Sequence, residues 1–561
     1  MSESLSATLD HLSEGRRPWL LLAALCLALY LPGIVTLPVT DRDEARFVQA
    51  SRQMLETHDF VRIRYQDEAR NKKPVGIYWL QAASVAAFST PESSAIWPYR
   101  LVSLAGAIGA VLLLFHFGAE IFDRRTALLG AGLAASSADA IFEAHIATTD
   151  AVLLAAAVAA QGALAITFLA PRRGDPVPWT NAACFWCAQA VAILIKGPVV
   201  PVMSICTILL LLVFERRAAW LQCLRTEFGL PLMLILVLPW FVLIERATGG
   251  AFLREALGHD LLGKVVTAQE AHGALPGYYL SLVMITFWPG SLFLGLGAIW
   301  AWRHRRLAAT RFLAAWILPF WLILELVPTK LPHYALPLYP ALALICARAI
   351  VAHDEGRFMP RPSWWIKAPA ILWSLVTIGV AFGLLGIAVK FDASFMAKTA
   401  AVIGAGAAAA VIWHLWQTTK LTLDVTTPLL SVIVALFVIV PGLAIVLPGV
   451  PGFWLSAEAT RLIAQHRNAG DAVAAVGYAE PSLVFLNGTD TALLSSDGIG
   501  AFLAGHPHSL MLVSDQDRDQ FTKIAATRRS SALVQGVVSG IDYSNGHRLQ
   551  LTLYRVDPVR P

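Results

Sequence analysis

Charged and imidazole side chains recur in this sequence at the ends of long apolar stretches, where charge is costly unless it serves a purpose. Asp43, Glu44 and Arg46 follow the first stretch, and Lys72 and Lys73 close the same segment. Asp150 ends His145-Ile-Ala-Thr-Thr-Asp150, and Lys196 sits in Ile195-Lys-Gly-Pro198. Lys330, His333 and Tyr334 lie in Pro328-Thr-Lys-Leu-Pro-His-Tyr334, and His259, Asp260 and Lys264 lie in a longer polar segment. Lysine and arginine hold phosphate through charge-assisted hydrogen bonds. Lys72 and Lys73 precede Pro74, a favoured first-turn residue, so a helix N-terminus would add its positive end. Carboxylates beside such cations can take a proton from an acceptor or orient it. These residue types fit group transfer from a lipid phosphate. Each also has a plainer use. Thr40-Asp-Arg-Asp43 fits a capping box, and Asp150 fits the N-cap of its helix. Lys196, Lys264 and Lys330 fit interfacial lysines that snorkel, and Lys73 fits a partner for Asp67 and Glu68. Glu44 fits a helix surface, and His259 an ordinary interfacial histidine. Their shared location favours the chemical reading.

The elements that carry these residues are membrane spans. Of 561 residues, 57% are apolar and 14% charged, against about 45–50% and about 25% in soluble domains. The mean hydropathy is +0.61. This excludes a soluble enzyme, a disordered chain and a fibrous protein. The net charge of +5 is spread over short loops, so nucleic acid is not an expected partner. About thirteen stretches are apolar enough to span, starting near Trp19, Trp97, Ala127, Ala151, Ala182, Val199, Gly229, Tyr279, Phe312, Ala335, Ala368, Thr399 and Pro428. With the N-terminus cytoplasmic, alternate loops hold Arg124 and Arg125, Arg172 and Arg173, Arg216 and Arg217, and Arg303, Arg305 and Arg306, while the opposite loops are poor in arginine. That asymmetry follows the positive-inside rule and puts the chemistry-bearing residues on the outer side. One outer segment, Asp41 to Lys73, breaks the rule with eight basic and seven acidic residues. Insertion does not require it, so it is expected to act. Cys184 and Cys187 have C-x-x-C spacing, but they sit in an apolar run with no second pair nearby. They read as packing residues.

Within the segment 41–75, residues 43–55 read as an amphipathic helix suited to the membrane surface, with Phe47, Val48, Ser51, Met54 and Leu55 on one face. A second helix is expected from Pro74. A second long outer loop covers residues 246–278. Residues 1–450 form the expected transmembrane domain. Residues 451–561 form a small α/β domain, with strands expected at 472–477, 483–486, 509–514, 532–538 and 549–556 and helices at 457–466, 499–504 and 515–526.

Asp43-Glu-Ala-Arg46 with Met54-Leu55, followed by Lys73-Pro74 and Tyr78-Trp79, resembles the first outer loop of the aminoarabinose (4-amino-4-deoxy-L-arabinose) lipid A transferase-like family. That family belongs to the GT-C glycosyltransferases, which are related to protein O-mannosyltransferases. Thr149-Asp150, Lys196-Gly-Pro198 and Lys330-Leu-Pro-His-Tyr334-Ala-Leu-Pro337 are also similar. The resemblance implies an all-α polytopic GT-C fold of about thirteen spans, amphipathic juxtamembrane helices and a periplasmic α/β domain. It implies transfer of a sugar from undecaprenyl phosphate to an outer acceptor, typically lipid A, with inversion at the anomeric carbon. By position, Asp43 matches the family's key carboxylate, Arg46 its nearby arginine and Lys73 the lysine near the donor phosphate. Asp150 and Lys196 match further cavity residues. His259 and Lys264 match a histidine and a basic residue five positions later, where lysine replaces the usual arginine.

The expected enzyme is therefore an inner-membrane glycosyltransferase with a periplasmic site. Asp43 and Asp150 are its catalytic carboxylates. Lys73, Arg46, Lys196 and Lys264 surround the donor phosphate, and Glu44, Lys72, His259, Lys330 and Tyr334 complete the cavity. Its partners are a polyprenyl-phosphate sugar, lipid A or another envelope acceptor, and membrane lipid. The sequence assigns no cofactor; it leaves a divalent metal open and assigns it no ligands. Transfer to a protein or envelope glycan is the alternative. A lipid-sugar flippase and a membrane-anchored binding protein are the readings from other classes. A flippase would place its ionisable residues near mid-membrane.

Overall fold

Long apolar runs leave the backbone no partner but itself in lipid, so they fold as helices. The computed structural model describes residues 2–256, 273–359, 363–418, 421 and 423–558. Among these, eight helices are long and apolar enough to cross a membrane, or ten if each of two bent pairs counts as one span. Every expected stretch coincides with a helix or a bent pair. Three of them, Arg17–Tyr30, Trp179–Lys196 and Val199–Glu215, are shorter or less apolar than these spans. The count of thirteen is reached only if these three also cross. The chain is a multi-pass membrane protein.

Small residues set the packing. Asp150–Arg173 is alanine-rich and almost wholly buried along its apolar length. Small side chains let helix backbones approach closely. At Gly106, on the neighbouring helix Trp97–Ile121, an added Cβ would lie 2.8 Å from the backbone nitrogen of Val152. Two breaks matter for the site. Arg124–Ala135 and Ala138–His145 meet at a 60° bend, and residues 146–149 then run irregularly before Asp150. Irregular backbone at membrane depth is tolerated where it lines a cavity.

The helix expected at 43–55 is present as Asp43–Thr57, and protein covers its polar side as well as its apolar one. Glu44, Gln49, Ser51, Arg52 and Gln53 are buried along with its apolar face. The C-terminal domain covers the polar side: Arg52 donates to the Phe485 carbonyl at 2.5 Å and Gln49 to Thr489 Oγ1 at 2.8 Å. Amphipathic periodicity shows that one face seeks an apolar neighbour; it says nothing of what meets the other face. A short hairpin follows, β1 (Arg64–Tyr65) with β2 (Glu68–Ala69), and the second expected helix runs Gly76–Phe88.

The C-terminal region folds as a five-stranded mixed sheet. β3 (Ala472–Val476) pairs in parallel with β4 (Ala492–Leu494) and β5 (Ser509–Ser514). β6 (Ser530–Asp542) and β7 (His547–Pro558) form a long antiparallel hairpin whose β7 edge joins β5. Val473 and Ala475 pack with the helix Leu455–His466 on one face. Ala474 and Val476 pack with Ile499–Gly505 and Arg518–Thr527 on the other. The strand expected at 483–486 is instead part of the helix Pro481–Asn487. A four-residue apolar run does not distinguish the two states, and Pro481 at the first turn favours helix. β4 was not expected.

Candidate active site

The irregular stretches converge on one cavity of about 540 Å³. Asp43, Glu44, Arg46, Lys72, Lys73, Asp150, Lys196 and Tyr334, eight of the expected residues, all line it. Arg70, Glu143, His333, Trp454 and Tyr543 complete the polar and aromatic wall.

Asp43 opens its helix, where acidic residues suit the positive helix end. It is not a cap: Arg42 holds the cap position, with no side-chain cap bond, and Asp43 is exposed to the cavity. Glu44 is anchored instead. Arg100 donates to it from Nε at 2.8 Å and from Nη2 at 2.9 Å, and both side chains are fully buried. Glu44 also accepts from the backbone nitrogens of Thr40 and Ala147, each at 2.8 Å. Burial alone would raise its carboxyl, but Arg100 and these donors hold it below its ordinary value. Arg100 in turn donates to the carbonyls of Ile34, Leu37 and Pro38. One buried ion pair thus ties the first loop to two transmembrane segments.

Asp150 likewise is not a cap. Its Oδ1 accepts from Lys196 Nζ at 2.6 Å, and Thr149 donates to Oδ2 at 3.0 Å. Lys196 reaches this position because Gly197 and Pro198 stop its helix at the cavity. Its ammonium also stands 5.1 Å from the centre of the Tyr334 ring. His333 lies between two carboxylates, 3.7 Å from Glu143 and 3.9 Å from Asp150. Thr148 donates to the other oxygen of Glu143 at 2.8 Å.

Lys330 does not face this cavity. Its buried ammonium donates to the carbonyls of Leu324, Glu325 and Val327, at 3.0, 2.7 and 2.7 Å. It caps the C-terminal end of the helix Ala308–Leu326, where free carbonyls attract a cation. His259 and Lys264 lie outside the described residues. No group of three or more His, Cys, Asp or Glu that could hold a metal occurs among the described residues. Sequence reading passed over Arg100 and Glu143. Both are ionisable residues within otherwise apolar stretches, and that alone marks a residue as functional or paired. Tyr543 carried no such signal; only the folding of the C-terminal domain over the first loop brings it here.

The sequence profile of the dolichyl-phosphate-mannose-protein mannosyltransferase family matches residues 72–243. An undecaprenyl phosphate-alpha-4-amino-4-deoxy-L-arabinose arabinosyl transferase of Pseudomonas aeruginosa is 28% identical over 317 residues, 55% of each chain. A protein of the same name from Aeromonas salmonicida is 25% identical over 63% of each chain. The matched stretch thus spans 55–63% of the length of these two relatives. The crystal structure of ArnT from Cupriavidus metallidurans bound to undecaprenyl phosphate superposes with a TM-score of 0.71 at 19% identity, over 95% of this chain and 97% of that one. The chain has the fold of ArnT. The similarity read from the first loop therefore extends, at the level of fold, through the C-terminal domain. The archaeal oligosaccharyltransferase AglB from Archaeoglobus fulgidus, in complex with an inhibitory peptide and a dolichol-phosphate, is more distant. Its TM-score is 0.50 at 11% identity, over 95% of this chain and 73% of that one.

Proposed function

We propose that this protein is an inner-membrane glycosyltransferase that moves a sugar from a polyprenyl phosphate of the undecaprenyl type to an acceptor at the periplasmic face, with lipid A, the acceptor that the first-loop resemblance implies, as the first candidate. The observation that carries this reading is the composition of the cavity: Arg46, Arg70, Lys72, Lys73 and Lys196 line the same space as the exposed carboxylate of Asp43. A cluster of cations suits a phosphate whose charge grows as it leaves. The relatives' names and the undecaprenyl phosphate bound in the ArnT crystal structure support that donor. The division at residues 450/451 and the periplasmic orientation belong to the same proposal, with the positive-inside asymmetry as their support.

In this mechanism Lys73, with Lys72 and Arg46, holds the donor phosphate and stabilises the leaving group. Asp43 meets the acceptor. An acceptor phosphate is already an anion, and Asp43 then orients it; an acceptor hydroxyl would give its proton to Asp43. A single displacement inverts the anomeric carbon. Asp150, held on Lys196, shapes the wall behind the sugar. The mannosyltransferase profile favours a second reading, in which the acceptor is a protein hydroxyl.

The test uses purified protein, labelled undecaprenyl-phosphate sugars, and lipid A and protein acceptors, with products identified by mass. Asp43→Asn should abolish transfer while the protein remains folded. Lys73→Ala should raise the donor requirement steeply. Wild-type rates in Asp43→Asn, or an unchanged donor titration in Lys73→Ala, would remove those roles.

A further inference from the structure

The chain enters the Asp43 helix through a strained residue. Arg42 has φ 63° and ψ −101°, a region that residues with a Cβ avoid. Such strain persists only where surrounding contacts over-determine it. Those contacts come from the tip of the β6–β7 hairpin, some 500 residues away in sequence. Tyr543 Oη accepts from the Asp41 backbone nitrogen at 2.7 Å. The Arg42 guanidinium donates to the Ser544 carbonyl at 2.6 Å. The tip is itself braced. Ser544 Oγ donates to Glu480 at 2.5 Å, and Asp542 accepts from the Ser544 backbone nitrogen at 3.0 Å. Trp454 meets the Tyr543 ring at 5.8 Å between centroids. Farther back, Ile541 donates to the Gly452 carbonyl at 2.8 Å, and Gly540 packs so closely on Gly452 that a Cβ there would lie 2.2 Å from its oxygen. The hairpin is therefore fixed to the end of the transmembrane bundle, and its tip lines the cavity beside Asp43.

We propose that the β6–β7 hairpin tip is a positioning element of the active site: Tyr543 and Ser544 pin residues 41 and 42, and so set the direction in which Asp43 enters the cavity. Tyr543 acts through Asp43 and is not a catalytic residue. The claim about chemistry rests on the transferase reading given above; the claim about the latch does not. It gives the C-terminal domain a role in the reaction at the membrane.

The experiment compares the full-length wild type with Tyr543→Phe, which keeps the ring against Trp454 and removes the hydroxyl, and with Arg42→Ala, which removes the second tie. Two measurements are made. Steady-state transfer from undecaprenyl-phosphate sugar is expected to show kcat lowered about tenfold in each variant, the equivalent of one hydrogen bond of about 1.4 kcal/mol. The KM for donor and the binding of undecaprenyl phosphate should stay within about twofold. Hydrogen exchange is expected to rise at the backbone amides of residues 41–46. Unchanged exchange at 41–46 overturns the proposal whatever the activity. Raised exchange with unchanged kcat, or a loss confined to donor KM, overturns the positioning role. A wild type that transfers no sugar while its variants show raised exchange overturns the transferase reading and supports the latch. If Tyr543→Phe fails to fold, Arg42→Ala carries the same readouts.

Discussion

Replacing Arg100 by methionine tests whether the first loop is held by charge. Arg100 makes five hydrogen bonds, two to Glu44 and three to the carbonyls of Ile34, Leu37 and Pro38. The pair has no exposed side-chain surface, so solvent does not screen it. Methionine fills a similar volume but leaves a buried carboxylate without its cation. Breaking a buried pair from one side costs about 3–5 kcal/mol, against about 0–1 kcal/mol for an exposed pair. Arg100→Met should therefore lose about 3–5 kcal/mol. Glu44→Gln in the same chain should restore at least about 2 kcal/mol of that loss, because the stranded charge is gone. Full recovery is not expected, since three carbonyls still lack their donor. The assay is unfolding in mixed micelles titrated with a denaturing detergent, read by tryptophan fluorescence, on wild type, both single variants and the double variant. A loss below about 1 kcal/mol in Arg100→Met, or strictly additive single effects, would refute the reasoning. The pair would then behave as if solvated, and the burial argument for the whole first loop would fail with it.

Two further outcomes follow from the same geometry. Lys330→Met should destabilise the fold by about 1–3 kcal/mol through three unsatisfied carbonyls, while kcat per folded molecule stays within about twofold; a collapse of kcat with unchanged unfolding would put Lys330 back in the site. Asp41 should make stability pH-dependent. Burial, with Glu480 nearby, pushes its carboxyl up to about 7, so ionisation is disfavoured in the folded state relative to the unfolded one. That cost is absent below about pH 4, grows as pH rises and is complete above about pH 7. Asp41→Asn should then raise stability at about pH 8 by at most about 4 kcal/mol, less where cavity water screens the group, and give no gain at about pH 4. An equal shift at both pH values would contradict the assignment.

The helix positions were legible because spacing alone encodes them. Apolar runs of span length, and the 3.6-residue period at 43–55, report local preferences that tertiary contacts did not overrule. The grouping of Asp43, Lys73, Asp150 and Lys196 was legible for a different reason. Each ends an apolar run on the same side, and helices that bundle must bring such ends together. Residues 483–486 fold as helix and not as the expected strand because four apolar residues carry no decisive period.

What the sequence by itself determined was therefore which segments are helical and which side of the bundle gathers its charge, both consequences of burying apolar surface and of the cost of charge in lipid. Only the tertiary structure decided how those charges divide their work. Glu44 and Lys330 are withdrawn into buried bonding because Arg100 and three helix-end carbonyls stand within reach. Asp150 is tied to Lys196, and Asp43 is left open to the cavity. The covering of the first loop by a hairpin some 500 residues distant was likewise decided in space. Periodicity reports a residue's own surface, whereas the partner that reaches it from afar depends on where the whole chain folds.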